Sequence, residues 1–151
     1  MKEQKRFRRM SGNTVKSGCQ AERKEYMNMD GRKRWYIPDG WIPESNRCDD
    51  SVLEGHEAVS ILNCNDEFAD VRIDIYFEDK SPVRDIRIIV PACRVKCIRM
   101  DHPEEINGTD LGRLQQYALR IVSNVNIIVQ FGRMDISQSN LSYIGTMAYS
   151  E

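Results

Sequence analysis

Gln130, Arg133 and Asp135 lie close enough in the chain to share one strand. Side chains alternate along a strand, so Arg133 and Asp135 face one way and Gln130 the other. A guanidinium and a carboxylate on one face suit a sugar hydroxyl, a ligand carboxylate or a charge on a partner. The same two residues also read as a structural ion pair at a sheet edge or subunit contact, where such pairs contribute little. His56 and Glu57 are adjacent, and neighbours on a strand face opposite sides, so they do not chelate one metal together in regular geometry. His102 is the other histidine of the chain, which leaves a metal site short of ligands and His56 as a hydrogen-bonded loop or interface residue. Trp35, Tyr36 and Trp41 bracket Pro38, Asp39 and Gly40. An exposed aromatic ring near Asp39 and Glu44 suits stacking on a sugar with carboxylate hydrogen bonds. The alternative packs Trp35 into the core.

Enzyme motifs are missing from the sequence. There is no G-x-S-x-G, no phosphate-binding P-loop, no G-x-G-x-x-G and no H-E-x-x-H. The paired carboxylates Asp49-Asp50 and Glu104-Glu105 sit in polar stretches, where both stay solvated instead of splitting into acid and base. The five cysteines, Cys19, Cys48, Cys64, Cys93 and Cys97, form no C-x-x-C pair, so a structural zinc site has little support. Cys93 and Cys97 are four apart on an expected strand, roughly 13 Å, too far to bridge to each other. An odd count of thiols fits a reducing compartment. The expectation is therefore a chain with no catalytic residues, no cofactor and no metal.

The elements that must position these residues read as strands. The chain has 151 residues, enough for one domain. No apolar run reaches the length of a membrane span, and the N-terminus lacks the apolar stretch of a secretory signal, so the expected location is cytoplasmic, without membrane insertion. Residues 1–30 carry eight Lys/Arg against four Asp/Glu and show no apolar periodicity, which predicts a basic, disordered leader. Any contact with nucleic acid would run through residues 2–9, since the rest is mildly acidic. Translation starting at Met27 or Met29 is another account of the leader.

From residue 31 to 151 a single domain is expected. Residues 34–37 predict a strand, and Pro38-Asp39-Gly40 a turn. Residues 58–62 form an apolar run. Val71, Ile73, Ile75 and Phe77 alternate with Arg72, Asp74 and Tyr76, the period of a half-buried strand. Ile86, Ile88 and Val90 repeat the pattern, and Pro91 ends it. Further strands are expected at 94–100, at 117–122 (with a helical turn before it), at 125–131 after a Ser123-Asn124 turn, and at 143–149. Seven to eight short strands and no strong helix predict an all-β, antiparallel β-sandwich of jelly-roll type.

Six strings in order resemble the sensory rhodopsin transducer family. They are Trp35-Tyr36-Ile37-Pro38-Asp39-Gly40-Trp41-Ile42-Pro43; His56-Glu57 with Ile61-Leu62-Asn63; Asp70-Val71-Arg72-Ile73 running into Ile75-Tyr76-Phe77-Glu78-Asp79, with Pro82-Val83 after it; Val90-Pro91-Ala92 with Arg94; Ser123-Asn124-Val125 leading to Val129-Gln130-Phe131-Gly132-Arg133-Met134-Asp135; and Thr146-Met147-Ala148-Tyr149. Cys97 stands where the family often has histidine, and residues 109–117 form a longer stretch than usual. The resemblance implies a cytoplasmic β-sandwich, similar to carbohydrate-binding domains, that assembles as a homotetramer. It also implies relay of a signal from the cytoplasmic face of a rhodopsin-like membrane receptor by protein–protein contact. The alternative is a carbohydrate- or small-ligand-binding module unrelated to any rhodopsin. Trp35, Trp41, His56, Glu57, Arg94, Gln130, Arg133 and Asp135 are the candidate ligand- or partner-binding residues.

Overall fold

Alternation of apolar and polar residues carries through to a fold made of strands. A computed structural model describes residues 30–45, 53–138 and 140–151. The expected leader up to residue 29, with its nucleic-acid contact at residues 2–9, lies outside the described residues, as do Cys19, Cys48 and Asp49-Asp50. The eight strands are β1 (Arg32–Trp41), β2 (His56–Asn63), β3 (Ala69–Phe77), β4 (Val83–Val90), β5 (Arg94–Arg99), β6 (Gln116–Asp135), β7 (Ser142–Met147) and β8 (Tyr149–Ser150). A 3₁₀ turn at Pro103–Ile106 is the one helical piece among the described residues. No helix among them is long and apolar enough to cross a membrane.

Every pairing is antiparallel, and β6 holds the fold together. Its first half pairs β3 on one side and β1 on the other, extending to β4 and β8. Its second half pairs β2 and β7, with β5 beyond β2. The sandwich is thus two layers that share one strand: β4-β3-β6-β1-β8 and β5-β2-β6-β7. Odd-numbered β6 residues from Tyr117 to Phe131 are buried without interruption, so one face of the strand looks inward along both layers. Val71, Ile73, Ile75, Ile86 and Ile88 meet Val59, Ile61, Ile98, Val129 and Phe131 in one apolar cluster. Burying an isoleucine contributes about 1.5–3 kcal/mol, and β-branched side chains fit a pleated surface.

Four local expectations are corrected. Ser123-Asn124 is no turn, because the sheet satisfies both side chains. The Ser123 hydroxyl accepts from the Val125 N–H at 3.4 Å, and Asn124 Oδ1 accepts from the Asp70 N–H at 2.7 Å. Residues 117–122 and 125–131 therefore belong to one strand. Pro38-Asp39-Gly40 is also no turn. It is an irregularity inside β1, where the register with β6 slips between Ile37↔Leu119 and Gly40↔Tyr117. Pro38 is tolerated because β8 covers only Trp35 and Tyr36 on that edge. No helical turn precedes β6, since Gly112 and Leu114 both take left-handed φ, +69° and +58°. The last expected strand, 143–149, breaks at Ala148. That residue is buried, and its N–H bonds the Val129 carbonyl at 3.1 Å as the chain passes from β6 to β1.

Candidate functional site

The irregularity in β1 turns Gly40 and the Trp41 N–H toward the interior. A Cβ on Gly40 would lie 2.5 Å from the Tyr117 ring, so only glycine lets that ring pack flat on the strand. Behind it lies Glu57, fully buried on β2. Its carboxylate receives the Trp41 N–H at 3.0 and 2.9 Å, the Tyr117 hydroxyl at 2.5 Å and Arg133 Nε at 2.6 Å. Glu57 and Arg133 are direct cross-strand partners. An isolated buried carboxylate is prohibitively costly, and here one cation and two neutral donors compensate it. Burial first, and then the charge of Glu57, push the Tyr117 hydroxyl well above its ordinary range. Tyr117 therefore stays a donor at every working pH.

Arg133 carries this buried centre to the surface. Its Nη2 makes no hydrogen bond and lies 3.7 Å from Asp39 Oδ1, while the Trp41 ring centroid is 5.9 Å from the guanidinium carbon. Between β1 and β7 a groove of about 350 Å³ opens over Arg133, Asp39, Phe131, Ile144 and Thr146, with Tyr36 and Tyr149 at its rim. Those two rings stand 6.2 Å apart, tilted by 42°. The arrangement offers apolar walls and one exposed carboxylate, with a buried guanidinium N–H that makes no hydrogen bond behind them.

The expected site residues separate into three groups. Trp41, Glu57 and Arg133 come together. Trp35 is a core residue, 5% exposed, with its Nε1 donating to the Arg32 carbonyl at 2.9 Å. The others lie elsewhere. Arg133 and Asp135 share a face but form no ion pair. Arg133 turns inward to Glu57, and the Ser137 side chain, followed by its N–H at 2.8 Å, holds the Asp135 carboxyl below the usual value. His56 sits 2.8 Å from the Glu54 carbonyl. Arg94, on the opposite edge of its layer, donates to the Cys93 carbonyl at 2.9 Å. Gln130 is exposed on the outer face.

Tyr117 and Asp39 complete the centre. Tyr117 was legible as an inward residue by alternation with Leu119 and Ile121, and a buried tyrosine hydroxyl calls for a partner. Naming Glu57 as that partner required the register. A second polar centre was not legible. Asp101, its side chain 2% exposed, pairs with Arg99 at 2.7 Å and Arg113 at 3.2 Å. Arg113 also donates to the carbonyls of Pro43 and Gly55, both at 2.7 Å. Glu54, Asp101 and His102 cluster closely enough to face a cation, but the two arginines already neutralise them, and their work is to tie loops together.

The outer faces of the two layers differ. On β3 and its neighbours, Asp70, Asp74 and Asp85 interlock with Arg72, Arg84, Arg87 and Arg120 in a lattice of ion pairs. On the other layer, cross-strand partners place Leu62 beside Val95, Ser60 beside Cys97 and Gln130, and Gln130 beside Met147. Val95, Tyr143 and Met147 are more than half exposed there. The one charged side chain along these rows is Arg99, and its guanidinium folds back onto Asp101. Ala58, Gly132 and Gly145 are small residues on this face, and the Tyr143 side chain lies over Gly132.

Residues 30–150 match the family described as Anabaena sensory rhodopsin transducer. The crystal structure of Thermotoga maritima 1070 superposes with a TM-score of 0.69 at 28% identity, covering 82% of this chain and 97% of that one. The Anabaena sensory rhodopsin transducer superposes with a TM-score of 0.60 at 39% identity, covering 70% of this chain and 90% of its own. No curated protein matches the sequence.

Proposed function

The chain belongs to the Anabaena sensory rhodopsin transducer family, and on that footing we propose that it is a non-enzymatic binding protein that relays a signal through protein–protein contacts. It works as a homo-oligomer, with four copies expected, in the cytoplasm, and it meets the cytoplasmic face of a rhodopsin-like membrane receptor. Residues 31–151 form the working domain, and the basic leader is an appendage to it.

The observation that carries this reading is the uncharged outer face of the β5-β2-β6-β7 layer. A solvent face normally looks like the ion-paired face of the other layer. An uncharged face that exposes large apolar residues such as Val95, Tyr143 and Met147 marks an interaction surface. Its β7 margin, Ser142–Met147, holds no charge and no proline, so nothing there guards an edge strand against pairing. Because the face carries no net charge, two copies meet on it without repulsion. The test passes detergent-solubilised membranes of the source cell over the immobilised chain. Retention of a polytopic receptor by the wild type, and its loss with Ser60→Glu, is the expected result. Retention of none, or measurable turnover of a substrate by the pure chain, contradicts the reading.

The groove over Arg133 favours a second reading, a site for a neutral hydroxylated ligand such as a carbohydrate. Glu57 already balances the guanidinium, which leaves the exposed Asp39 carboxylate to accept from a ligand hydroxyl. Calorimetry with a panel of mono- and oligosaccharides tests it. Binding that is lost with Asp39→Asn supports it, and no heat from any sugar removes it.

A further inference from the structure

Two cysteines meet at the open end of the β2–β5 pair. The ladder ends at Asn63↔Arg94, and Cys64 and Cys93 are the next residues on the two chains, where the regular pairing gives way to turns. Chain segments that leave the end of an antiparallel pair start from Cα atoms about 4.5–5.5 Å apart, which keeps the next residues near the span that a disulfide bridges. The backbone closes here as well, for the Cys93 N–H bonds the Asn65 carbonyl at 3.0 Å. Cys93 Sγ lies 3.5 Å from that carbonyl and 3.8 Å from Asp66 Oδ1. It is aimed at the turn that follows Cys64. Cys93 holds a left-handed φ of +52°, a conformation that a non-glycine residue adopts at a cost. Both sulfurs are free thiols; Cys93 is exposed and Cys64 half-buried.

We propose that Cys64 and Cys93 form a redox-sensitive pair that closes into a cross-strand disulfide when the protein meets a peroxide. Cys93, the accessible thiol, reacts first as its thiolate. Its sulfur attacks one peroxide oxygen, the O–O bond breaks, and hydroxide leaves, giving a sulfenic acid. The Cys64 sulfur then attacks Cys93 Sγ. The S–S bond forms, the S–O bond breaks, and the oxygen departs as water with the Cys64 proton. In sum, two thiols and one hydrogen peroxide give one disulfide and two waters. Burial first, then the charges of Asp30 and Cys93, raise the Cys64 thiol above its ordinary value. This assigns it the resolving role. Cys97 cannot substitute, since it is four residues along the same strand from Cys93.

The test treats the reduced full chain with hydrogen peroxide, blocks remaining thiols with N-ethylmaleimide and maps peptides without reduction. The expected product is a peptide pair linked through Cys64 and Cys93, reversed by dithiothreitol. It should form undiminished in Cys97→Ser and be absent in Cys64→Ser and Cys93→Ser. In Cys64→Ser, Cys93 should instead run on to the sulfinic acid. Failure to find the linked pair in the wild type, with Cys93 over-oxidised or joined to a different cysteine, overturns the proposal. The readout is independent of any receptor or oligomer.

Discussion

Arg133 shows how one residue belongs to two environments. Its Nε holds a buried carboxylate, its Nη2 is buried without a hydrogen bond, and the residue also lines an open groove. Breaking a buried ion pair by removing one partner costs about 3–5 kcal/mol, because the other charge stays behind. Glu57→Gln should therefore destabilise the fold by about 3 kcal/mol in urea unfolding. Tyr117→Phe, which removes one hydrogen bond, should cost about 1–2 kcal/mol. A Glu57→Gln variant with unchanged stability would mean that the centre is not formed as described. The aspartates give a pH signature. Burial alone would raise Asp101, but the Arg99 hydrogen bond and charge outweigh it and hold the carboxyl below its ordinary value. Asp74 is lowered against its burial by the Asp85 N–H and Arg120, and Asp70 is lowered chiefly by its Arg87 hydrogen bond. Groups with folded values below their unfolded values add stability that is complete above the unfolded value and is lost as pH falls through the folded one. Thermal midpoints should thus stay flat from neutral pH to about 5 and drop below about 4. A midpoint that rises on acidification would contradict these pairings.

Individual elements show where sequence periodicity suffices and where it fails. β3 and β4 were legible because one face is apolar and the other charged, as at Val71 against Arg72 or Ile86 against Arg87. The length of β6 was not, since Ser123 and Asn124 are turn formers by local preference and only the neighbouring Asp70 N–H makes them strand residues. The slip in β1 was missed for the same reason: Pro38, Asp39 and Gly40 signal a turn, while the Tyr117 ring that needs Gly40 lies on a distant strand. For the site, Trp41, Glu57 and Arg133 were legible as residue types, but the pairing of Arg133 was not. Adjacency in sequence suggested Asp135, and the cross-strand register supplied Glu57. Two glycines test this level. A Cβ on Gly40 meets a buried, hydrogen-bonded ring at 2.5 Å, whereas one on Gly132 meets the hydroxyl tip of the exposed Tyr143 at 2.4 Å. Gly40→Ala should cost about 1–3 kcal/mol by overpacking. Gly132→Ala should cost less than about 1 kcal/mol, because an exposed side chain swings aside. Equal losses in chemical denaturation would refute the difference.

At the scale of the whole molecule, the two layers face solvent with opposite chemistry, and that contrast organises the functional reading. Exposed ion pairs contribute about 0–1 kcal/mol each, so the charged lattice of the β3 layer serves to keep that face in water. The uncharged layer is the surface that a second copy or a receptor would cover. Ser60 lies at its middle, between Cys97 and Gln130, and a carboxylate introduced there by Ser60→Glu would be buried unpaired in any assembly that uses the face. Light scattering at micromolar concentration is the most direct measurement. The wild type should run at about four times the single-chain mass of 17.6 kDa, and Ser60→Glu should fall to a smaller species with an unchanged circular dichroism spectrum. A wild-type protein that scatters as a single chain, or a Ser60→Glu variant that assembles as before, would contradict the account.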